Sequence, residues 1–210
     1  VEGWAGEGGA ELGTRREIPS TRDLYAVSRA LEDHHIDALL VIGGYSAYEG
    51  IYTMMTERDR YPAFRIPTVC IPASIDNNLP GSELSIGTDT ALNVIVEAMD
   101  KIKESGIASR RCFVVETMGR DCGYLALMSG IAAGAERIYT NEDGISLDDL
   151  ANDVHWLREL FAHGRRLFLA VRNENASHNY TTDFIARLLE EESHGMYDVR
   201  QVVLGHMQQG

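Results

Sequence analysis

Short apolar runs alternate with amphipathic segments along most of this chain. The runs are rich in Val, Ile and Leu and have the roughly 4–8 residues that are typical of a buried strand. The segments between them repeat apolar residues at helical spacing, as Leu92, Ile95, Met99 and Ile102 do. Strands that alternate with helices predict an α/β fold with mostly parallel sheets covered on both faces. The predicted strands are 37–44, 66–71, 111–117, 137–140, 167–171 and 200–204, and the predicted helices begin near residues 20, 46, 88, 123, 147 and 181.

Length and composition favour a globular protein that contains one large domain or two small ones. The chain has 210 residues, and 44% of them are apolar, which is enough for a substantial core. A division near Gly87 would give two α/β lobes. No apolar run approaches the roughly 20 residues of a membrane span, and no secretory signal pattern precedes the first helix. Because the sequence begins at Val1 without an initiator Met, we expect a fragment of a longer protein.

Charge and cysteine content restrict the compartment and the partners. The net charge of −13 disfavours binding to nucleic acid or to anionic membranes, although a local cluster of arginines could hold a phosphorylated small molecule. Cys70, Cys112 and Cys122 lie in or beside predicted strands without CxxC spacing. Structural thiols in a reducing compartment are therefore expected, and the predicted location is cytoplasmic.

A polar loop follows the predicted strand 66–71. It reads Ser74-Ile75-Asp76-Asn77-Asn78 and supplies a hydroxyl, a carboxylate and two carboxamides. Open parallel sheets bind ligands at the carboxyl ends of their strands, so the loop is a candidate site. The same residues also suit an ordinary turn before Pro80-Gly81, and the loop alone leaves both interpretations open.

Further polar clusters follow other predicted strands. Met118–Arg120 and Arg172–Glu174 fall at carboxyl ends, and their arginines could supply paired donors to phosphate. Taken singly, each arginine suits an exposed surface position, and His206 suits a structural role. Gly43-Gly44 could let backbone amides approach a phosphate, but neither a dinucleotide motif nor a Walker motif surrounds the pair.

Four ordered segments together resemble the 6-phosphofructokinase family. They are Ser74–Asn78, Glu116–Arg120, Arg172–Glu174 and Leu204–Gly210. The resemblance covers essentially the whole chain, and Gly13–Arg16 and Tyr180–Phe184 look closest to the C-terminal, regulatory half of the duplicated eukaryotic-type enzymes. It implies two three-layer α/β/α lobes with mostly parallel sheets, truncated here at both ends. Residues 1–87 would be part of the larger, nucleotide-side lobe, and residues 88–210 would form the smaller, sugar-phosphate-binding lobe.

On the catalytic side, the resemblance implies a partly dismantled site. Asp76 matches the carboxylate that acts as base toward the sugar hydroxyl, so it is either a base or a vestige, and Arg120 would orient the phosphates. A catalytic half has Asp where Asn78 stands. The family's Gly-Gly-Asp-Gly-Ser is Gly43-Gly44-Tyr45-Ser46-Ala47 here, which removes a carboxylate that helps to bind magnesium. Mg and ATP are therefore expected for the whole enzyme, while no metal ligand is expected in this segment and Gly43 and Gly44 offer only a weak cofactor site.

On the sugar-phosphate side, the resemblance implies a retained site for fructose 6-phosphate or fructose 2,6-bisphosphate. Gln209 departs from it, because a catalytic half has Arg there, and Arg111 and Arg200 would come from a neighbouring subunit. Ala73, where pyrophosphate-dependent members have Lys, favours the ATP-dependent lineage. The residues implied are Ser74, Asn78, Arg111, Met118, Gly119, Arg120, Glu174, Arg200 and His206.

Three functions follow from these residues. The first is the regulatory half of an ATP-dependent 6-phosphofructokinase that binds fructose 2,6-bisphosphate. The second is a catalytic half that transfers the ATP γ-phosphate to fructose 6-phosphate with Asp76 as base. The third is a structural lobe that only holds an oligomer together. The predicted partners are fructose phosphates and other phosphofructokinase subunits, in a homo- or hetero-oligomer, with neither nucleic acid nor membrane.

Overall fold

A computed structural model describes residues 13–14 and 18–209. The chain divides into two compact units, which are described separately. Unit 1 comprises the chain up to Ser74 together with Leu79–Ile86, and unit 2 comprises Ile75–Asn78 and Gly87–Gly210. Arg15, Arg16 and Gly210 of the family-like motifs lie outside the described residues. No helix of the described part is both long enough and apolar enough to cross a membrane.

The described residues form helices and strands in strict alternation, as predicted. Each predicted strand and helix is present, and the bounds differ by a few residues at most. The elements are α1 (Thr21–Asp33), β1 (Leu39–Gly43), α2 (Tyr45–Thr56), β2 (Thr68–Pro72), α3 (Thr88–Gly106), β3 (Arg111–Thr117), α4 (Tyr124–Ala133), β4 (Arg137–Tyr139), α5 (Leu147–Ala162), β5 (Leu167–Asn173), α6 (Thr182–Glu191) and β6 (Asp198–Val203), with short 3-10 helices at Pro62–Phe64 and Gly205–Gln209.

Unit 1 contains a two-stranded parallel sheet in which β1 pairs with β2 in the register Leu39 to Thr68. Its core is a cluster of Leu24 and Leu31 from α1, Met54 from α2, and Phe64, against which Leu39 packs. The opposite sheet face is open within the described residues, where Leu40, Ile42 and Val69 are 60–64% exposed. The prediction of a fully buried first strand is therefore wrong for these residues, because the described helices of unit 1 pack against only one face.

Unit 2 contains a four-stranded sheet with the order β4-β5-β3-β6, and every neighbouring pair is parallel. One face is covered by α3 and α4, which contribute Ile95, Met99 and Leu125 to the core. The other face is covered by α5 and α6, which contribute Leu157, Phe161 and Ile185. This three-layer arrangement explains why β3 is continuously apolar from Cys112 to Val115 and β5 from Leu167 to Val171, since both faces of these strands are buried.

Local signals in the sequence fix several ends of these helices. The Ser146 hydroxyl accepts a hydrogen bond from the Asp149 amide at 3.1 Å while the Asp149 carboxylate accepts one from the Ser146 amide at 3.0 Å, forming a capping box at the start of α5. The Thr181 hydroxyl accepts from the Phe184 amide and caps α6. Gly134 ends α4 with a φ of 69°, which glycine adopts without strain.

Candidate functional site

A recess lies at the carboxyl edge of the unit 2 sheet. Because β3, β5 and β6 are parallel, the segments that follow them emerge at the same edge. They surround an open recess of about 180 Å³. Met118, Glu174 and His206, which belong to three different segments predicted from the sequence, are therefore brought together. The lining residues are Glu116, Thr117, Met118, Glu174, Val203, Gly205 and His206.

The turn after β3 requires a glycine at Gly119. Its φ is 139°, and a Cβ atom there would lie 2.6 Å from the Cys122 carbonyl oxygen and 2.7 Å from Asn173 Nδ2. The close approach lets Asn173 Nδ2 donate to the Gly119 carbonyl at 2.8 Å and to the Cys122 carbonyl at 3.2 Å. The Gly119 amide in turn donates to Glu174 Oε1 at 3.1 Å. The end of β5 thus fixes the conformation of the turn.

The recess is also lined by the 3-10 helix Gly205–Gln209, in addition to the turn after β3 and the end of β5. His206 is exposed on this helix, and its Nδ1 lies 2.8 Å from Gln209 Nε2. Gln208 is 1% exposed, and its Oε1 accepts a hydrogen bond from the Met118 amide at 3.0 Å. The helix is therefore tied to the turn after β3 by a buried carboxamide, which the sequence analysis did not single out.

Arg172 has a role other than the predicted one. Its side chain is 2% exposed, and its donors are directed to Glu116 Oε2 at 2.8 Å and to the carbonyl oxygens of Glu174, Ser177 and Tyr180 at 2.6–3.2 Å. Burial lowers the pKa of Arg172, partly offset by the Glu116 carboxylate. The expectation that this arginine faces a phosphate is wrong, because its guanidinium already holds the loop that follows β5.

The segment that carries Asp76 belongs to unit 2. Ile75 packs against the cluster of Ile95 and Met99, and Asn78 Nδ2 donates to the Arg120 carbonyl at 3.0 Å. The Cys122 thiol lies 3.7 Å from the Asn77 carbonyl oxygen. Asp76 is half-buried and the Arg120 side chain is exposed. The backbone around Arg120 and the Asp76 segment are therefore joined directly.

Ser74, Gly43 and Gly44 belong to unit 1, where packing explains the glycine pair. A Cβ atom at Gly43 would lie 2.6 Å from the Cβ of Ala47, and one at Gly44 would lie 3.3 Å from the Cβ of Ser74. The first turn of α2 carries no acidic residue, and Tyr45 is 57% exposed. These side chains offer magnesium no carboxylate, so the local donor set does not fit the metal.

Arg111 and Arg200 lie away from the recess within unit 2. Arg111 begins β3, which places it on the order of 20 Å along the strand from Thr117 at about 3.3 Å per residue. Arg200 pairs in register with Phe113, also toward the amino end of the sheet. Arg111 Nη1 makes a long 3.5 Å hydrogen bond to the Ser105 carbonyl, and Arg200 Nη2 lies 3.7 Å from Asp198 Oδ2. One copy of the sheet cannot bring these arginines to its own recess.

The three predicted thiols are free cysteines. Cys112 is fully buried in β3, and burial raises the pKa of its thiol well above the ordinary value, with smaller contributions from Glu136 and Glu190. Its thiol is therefore protonated at neutral pH and packs as a small apolar side chain.

Together, the three-layer arrangement of unit 2 and the recess at the carboxyl edge of its sheet define an α/β protein of the kind that binds ligands beyond its strand ends. A family model described as Phosphofructokinase matches residues 1–210. The chain belongs to the phosphofructokinase family.

Named relatives share this assignment. The chain is 47% identical to the ATP-dependent 6-phosphofructokinase, platelet type, of Rattus norvegicus over 211 aligned residues, which are 100% of this chain and 27% of that protein. It is 46% identical to the ATP-dependent 6-phosphofructokinase of Dictyostelium discoideum, covering 100% of this chain and 25% of that protein. The chain thus spans about a quarter of the length of these relatives.

Solved structures give the same fold. Phosphofructokinase from Saccharomyces cerevisiae superimposes with a TM-score of 0.94 at 38% identity, covering 99% of this chain and 28% of that chain. A pyrophosphate-dependent phosphofructokinase from Marinobacter aquaeolei superimposes with a TM-score of 0.75 at 20% identity, covering 96% of this chain and 52% of that one. At that identity the second likeness concerns the fold alone. The predicted α/β class and the resemblance to phosphofructokinase are both confirmed.

Proposed function

We propose that this chain is part of an ATP-dependent 6-phosphofructokinase and that its recess binds a fructose phosphate. The observation that carries the proposal is the convergence of Met118, Glu174 and His206, which follow three different strands, on one recess. All three were expected from sequence on the sugar-phosphate side. A ligand held by several loops of one rigid sheet is fixed in orientation as well as in position.

The recess contains groups that suit sugar hydroxyls. Glu174 Oε1 already accepts from the Gly119 amide, and a carboxylate has further acceptor positions for a hydroxyl. Glu116 also lines the recess, but its charge is balanced by buried Arg172. Among the residues that line the recess, excess negative charge is thus limited to Glu174, and the Met118 side chain offers an apolar surface to the sugar ring.

The phosphates need cations that the lining residues do not supply. Arg120, which follows Gly119 and is exposed, is one candidate. Arg111 and Arg200 are the others, and their position at the amino end of the sheet means that a second subunit must donate them. We therefore propose an oligomer in which each recess is completed by arginines of a neighbouring copy.

For this segment we propose a regulatory role, with fructose 2,6-bisphosphate as the ligand. The support is the exposed Tyr45 and the absence of acidic residues from the first turn of α2, at the place where a catalytic half has its magnesium carboxylate. ATP and Mg then belong to the remainder of a longer, cytoplasmic enzyme. We also propose that residues 1–87 belong to the nucleotide-side lobe and residues 88–210 to the sugar-phosphate-binding lobe.

The alternative is a catalytic half. It is favoured by the retention of Asp76 and by the hydrogen bond from Asn78 to the Arg120 carbonyl, which ties the candidate base to the loop of the candidate phosphate ligand. This alternative needs a magnesium ligand other than Tyr45 and the rest of the first turn of α2.

Calorimetric titration of the 210-residue chain with fructose 2,6-bisphosphate tests the proposal. We expect saturable binding that is tighter than that of fructose 6-phosphate, because a second phosphate adds charge-assisted hydrogen bonds. Inorganic phosphate is the control for simple anion binding. The proposal would be contradicted if neither sugar phosphate produced heat, or if inorganic phosphate bound as tightly as fructose 2,6-bisphosphate.

A further inference from the structure

The Met118 amide, the first after β3, donates its hydrogen bond to a side chain and not to a neighbouring strand. It donates to Gln208 Oε1 at 3.0 Å, although the two residues are 90 positions apart in the chain. The next amide, that of Gly119, donates to Glu174. These first two backbone donors of the turn are thus bound by side chains from other segments, and of the two acceptors only Glu174 lines the recess.

Gln208 is placed where its side chain can act on both sides of the recess. It lies two residues after His206 on the 3-10 helix Gly205–Gln209, and it is 1% exposed. It is therefore anchored beneath the recess surface and is not a lining residue. A shift of this carboxamide would move Met118 relative to His206, because it connects the two elements that carry them.

We infer that Gln208 is a positioning residue that fixes Met118 and Gly119 against the His206 helix in the geometry that binds the sugar phosphate. The inference rests on the proposed function of the recess. A buried backbone donor that loses its acceptor destabilises the arrangement in which it is buried, so the turn would move to hydrate the Met118 amide. The cost would fall on ligand affinity, since the sheet and its two helical layers do not depend on this bond.

The Gln208 carboxamide contributes a hydrogen-bond acceptor as well as volume. Gln208 Nε2 is buried and has no hydrogen-bond partner within the described part of the chain, so Oε1 makes the one bond that the amide contributes there. A methionine at this position would have a similar length and volume but would lack a strong acceptor. Gln208→Met therefore removes the acceptor with little change in packing.

The test compares Gln208→Met with Gln201→Met in the full chain. Gln201 is an exposed β6 residue whose Nε2 lies 3.4 Å from Asp183, so its substitution controls for the loss of a carboxamide away from the recess. We expect Gln208→Met to weaken fructose 2,6-bisphosphate binding by about tenfold, the equivalent of one lost buried hydrogen bond, while Gln201→Met binds like the unchanged chain. Unchanged affinity in a folded Gln208→Met chain would overturn the inference. Absence of binding by the unchanged chain would instead overturn the proposed function.

Amide hydrogen exchange gives a second readout, and its first measurement needs only the unchanged chain. In the unchanged chain, we expect the Met118 amide to be protected although it lies beyond the end of β3. In Gln208→Met, exchange should accelerate at Met118 and remain slow at Phe113 and Val115 within the strand. A Met118 amide that exchanges in the unchanged chain as fast as that of exposed Asp121 would show that Gln208 does not hold the turn.

Discussion

Glu174 Oε1 accepts a hydrogen bond from the Gly119 amide at 3.1 Å, which joins the loop after β5 to the turn after β3. The turn can take this form because Gly119 has a φ of 139°, where a side chain would collide with the Cys122 carbonyl. A carboxylate held in this way is oriented before any ligand arrives. In the proposed site, Glu174 can therefore accept a hydrogen bond from the ligand without a further loss of side-chain conformational freedom.

Arg172 should contribute strongly to stability. Its buried guanidinium pairs with Glu116 and binds three carbonyl oxygens, so Arg172→Met leaves the Glu116 carboxylate without its cationic partner. We expect a loss of about 3–5 kcal/mol in the free energy of unfolding, measured by urea denaturation. Arg187→Met is the matched control, because its side chain is 78% exposed, and it should cost less than about 1 kcal/mol. Equal losses in the two variants would contradict this role of Arg172.

Tyr197 should be replaceable by Phe with a gain in stability. The ring is 3% exposed and stacks on Phe161 at 4.4 Å, and its hydroxyl has no hydrogen-bond partner within the described residues. We expect Tyr197→Phe to raise the free energy of unfolding by about 1 kcal/mol near neutral pH, because the desolvated hydroxyl is removed. A loss of stability in thermal melts of the variant would show that the hydroxyl is bonded.

The same hydroxyl predicts a pH dependence. Burial raises the pKa of Tyr197 from its ordinary value of 10.0 to about 12. Since the unfolded chain loses this proton at lower pH than the folded chain does, stability is retained below pH 10 and falls as the pH rises toward 12. The difference in unfolding free energy between Tyr197→Phe and the unchanged chain should therefore widen from pH 9 to pH 11.5. A constant difference would show that the pKa is not raised.

The isolated chain should not phosphorylate fructose 6-phosphate. Neither the first turn of α2 nor exposed Tyr45 supplies a carboxylate for magnesium, and phosphoryl transfer depends on neutralising phosphate charge. A coupled assay with ATP and Mg should give no turnover above background. Turnover on the order of 1–100 per second, which is usual for kinases, would favour the catalytic alternative.

Asp76 separates the regulatory role from the catalytic one. A carboxylate beside a bisphosphate repels it, so Asp76→Ser should leave fructose 2,6-bisphosphate affinity unchanged or raise it. Asp100→Ser, at an exposed position of α3, is the control for a change in net charge alone. A large loss of affinity in Asp76→Ser, with none in Asp100→Ser, would show that Asp76 makes an essential contact with the ligand.

The order of elements could be predicted because hydrophobic periodicity reports burial directly. β3 and β5 read as continuous apolar runs since helices cover both of their faces. The same signal wrongly predicted burial of Leu40 and Ile42, because an apolar side chain does not identify the element that covers it. Strand ends depend on pairing as well as on periodicity, and β6 begins at Asp198 because its pairing with β3 starts opposite Arg111.

For the candidate site, sequence motifs located the segments but not the direction of each side chain. Arg172 and Glu174 lie in one motif, yet Arg172 is buried under the loop and Glu174 lines the recess. Gln208 could not be separated from its neighbour Gln209 by sequence alone, since only the turn of the 3-10 helix buries one and exposes the other. Such assignments depend on tertiary contacts between residues far apart in the chain.

Assembly should control affinity in the proposed site. Arg111→Ala and Arg200→Ala should each weaken fructose 2,6-bisphosphate binding by about 1.5–3 kcal/mol, the scale of a hydrogen bond to a charged group. Arg187→Ala is the control, because the Arg187 side chain on α6 is 78% exposed. Light scattering during the titration should show that the binding species is larger than the 23.3 kDa chain. Full-affinity binding by a monomer would contradict the shared site.

A crystal structure of the chain with fructose 2,6-bisphosphate tests the central claim most directly. We predict that the sugar lies in the recess between Met118, Glu174 and His206, and that Arg111 and Arg200 of a second copy reach its phosphates. Ligand density elsewhere on the chain, or a recess filled without any arginine from another copy, would contradict the account.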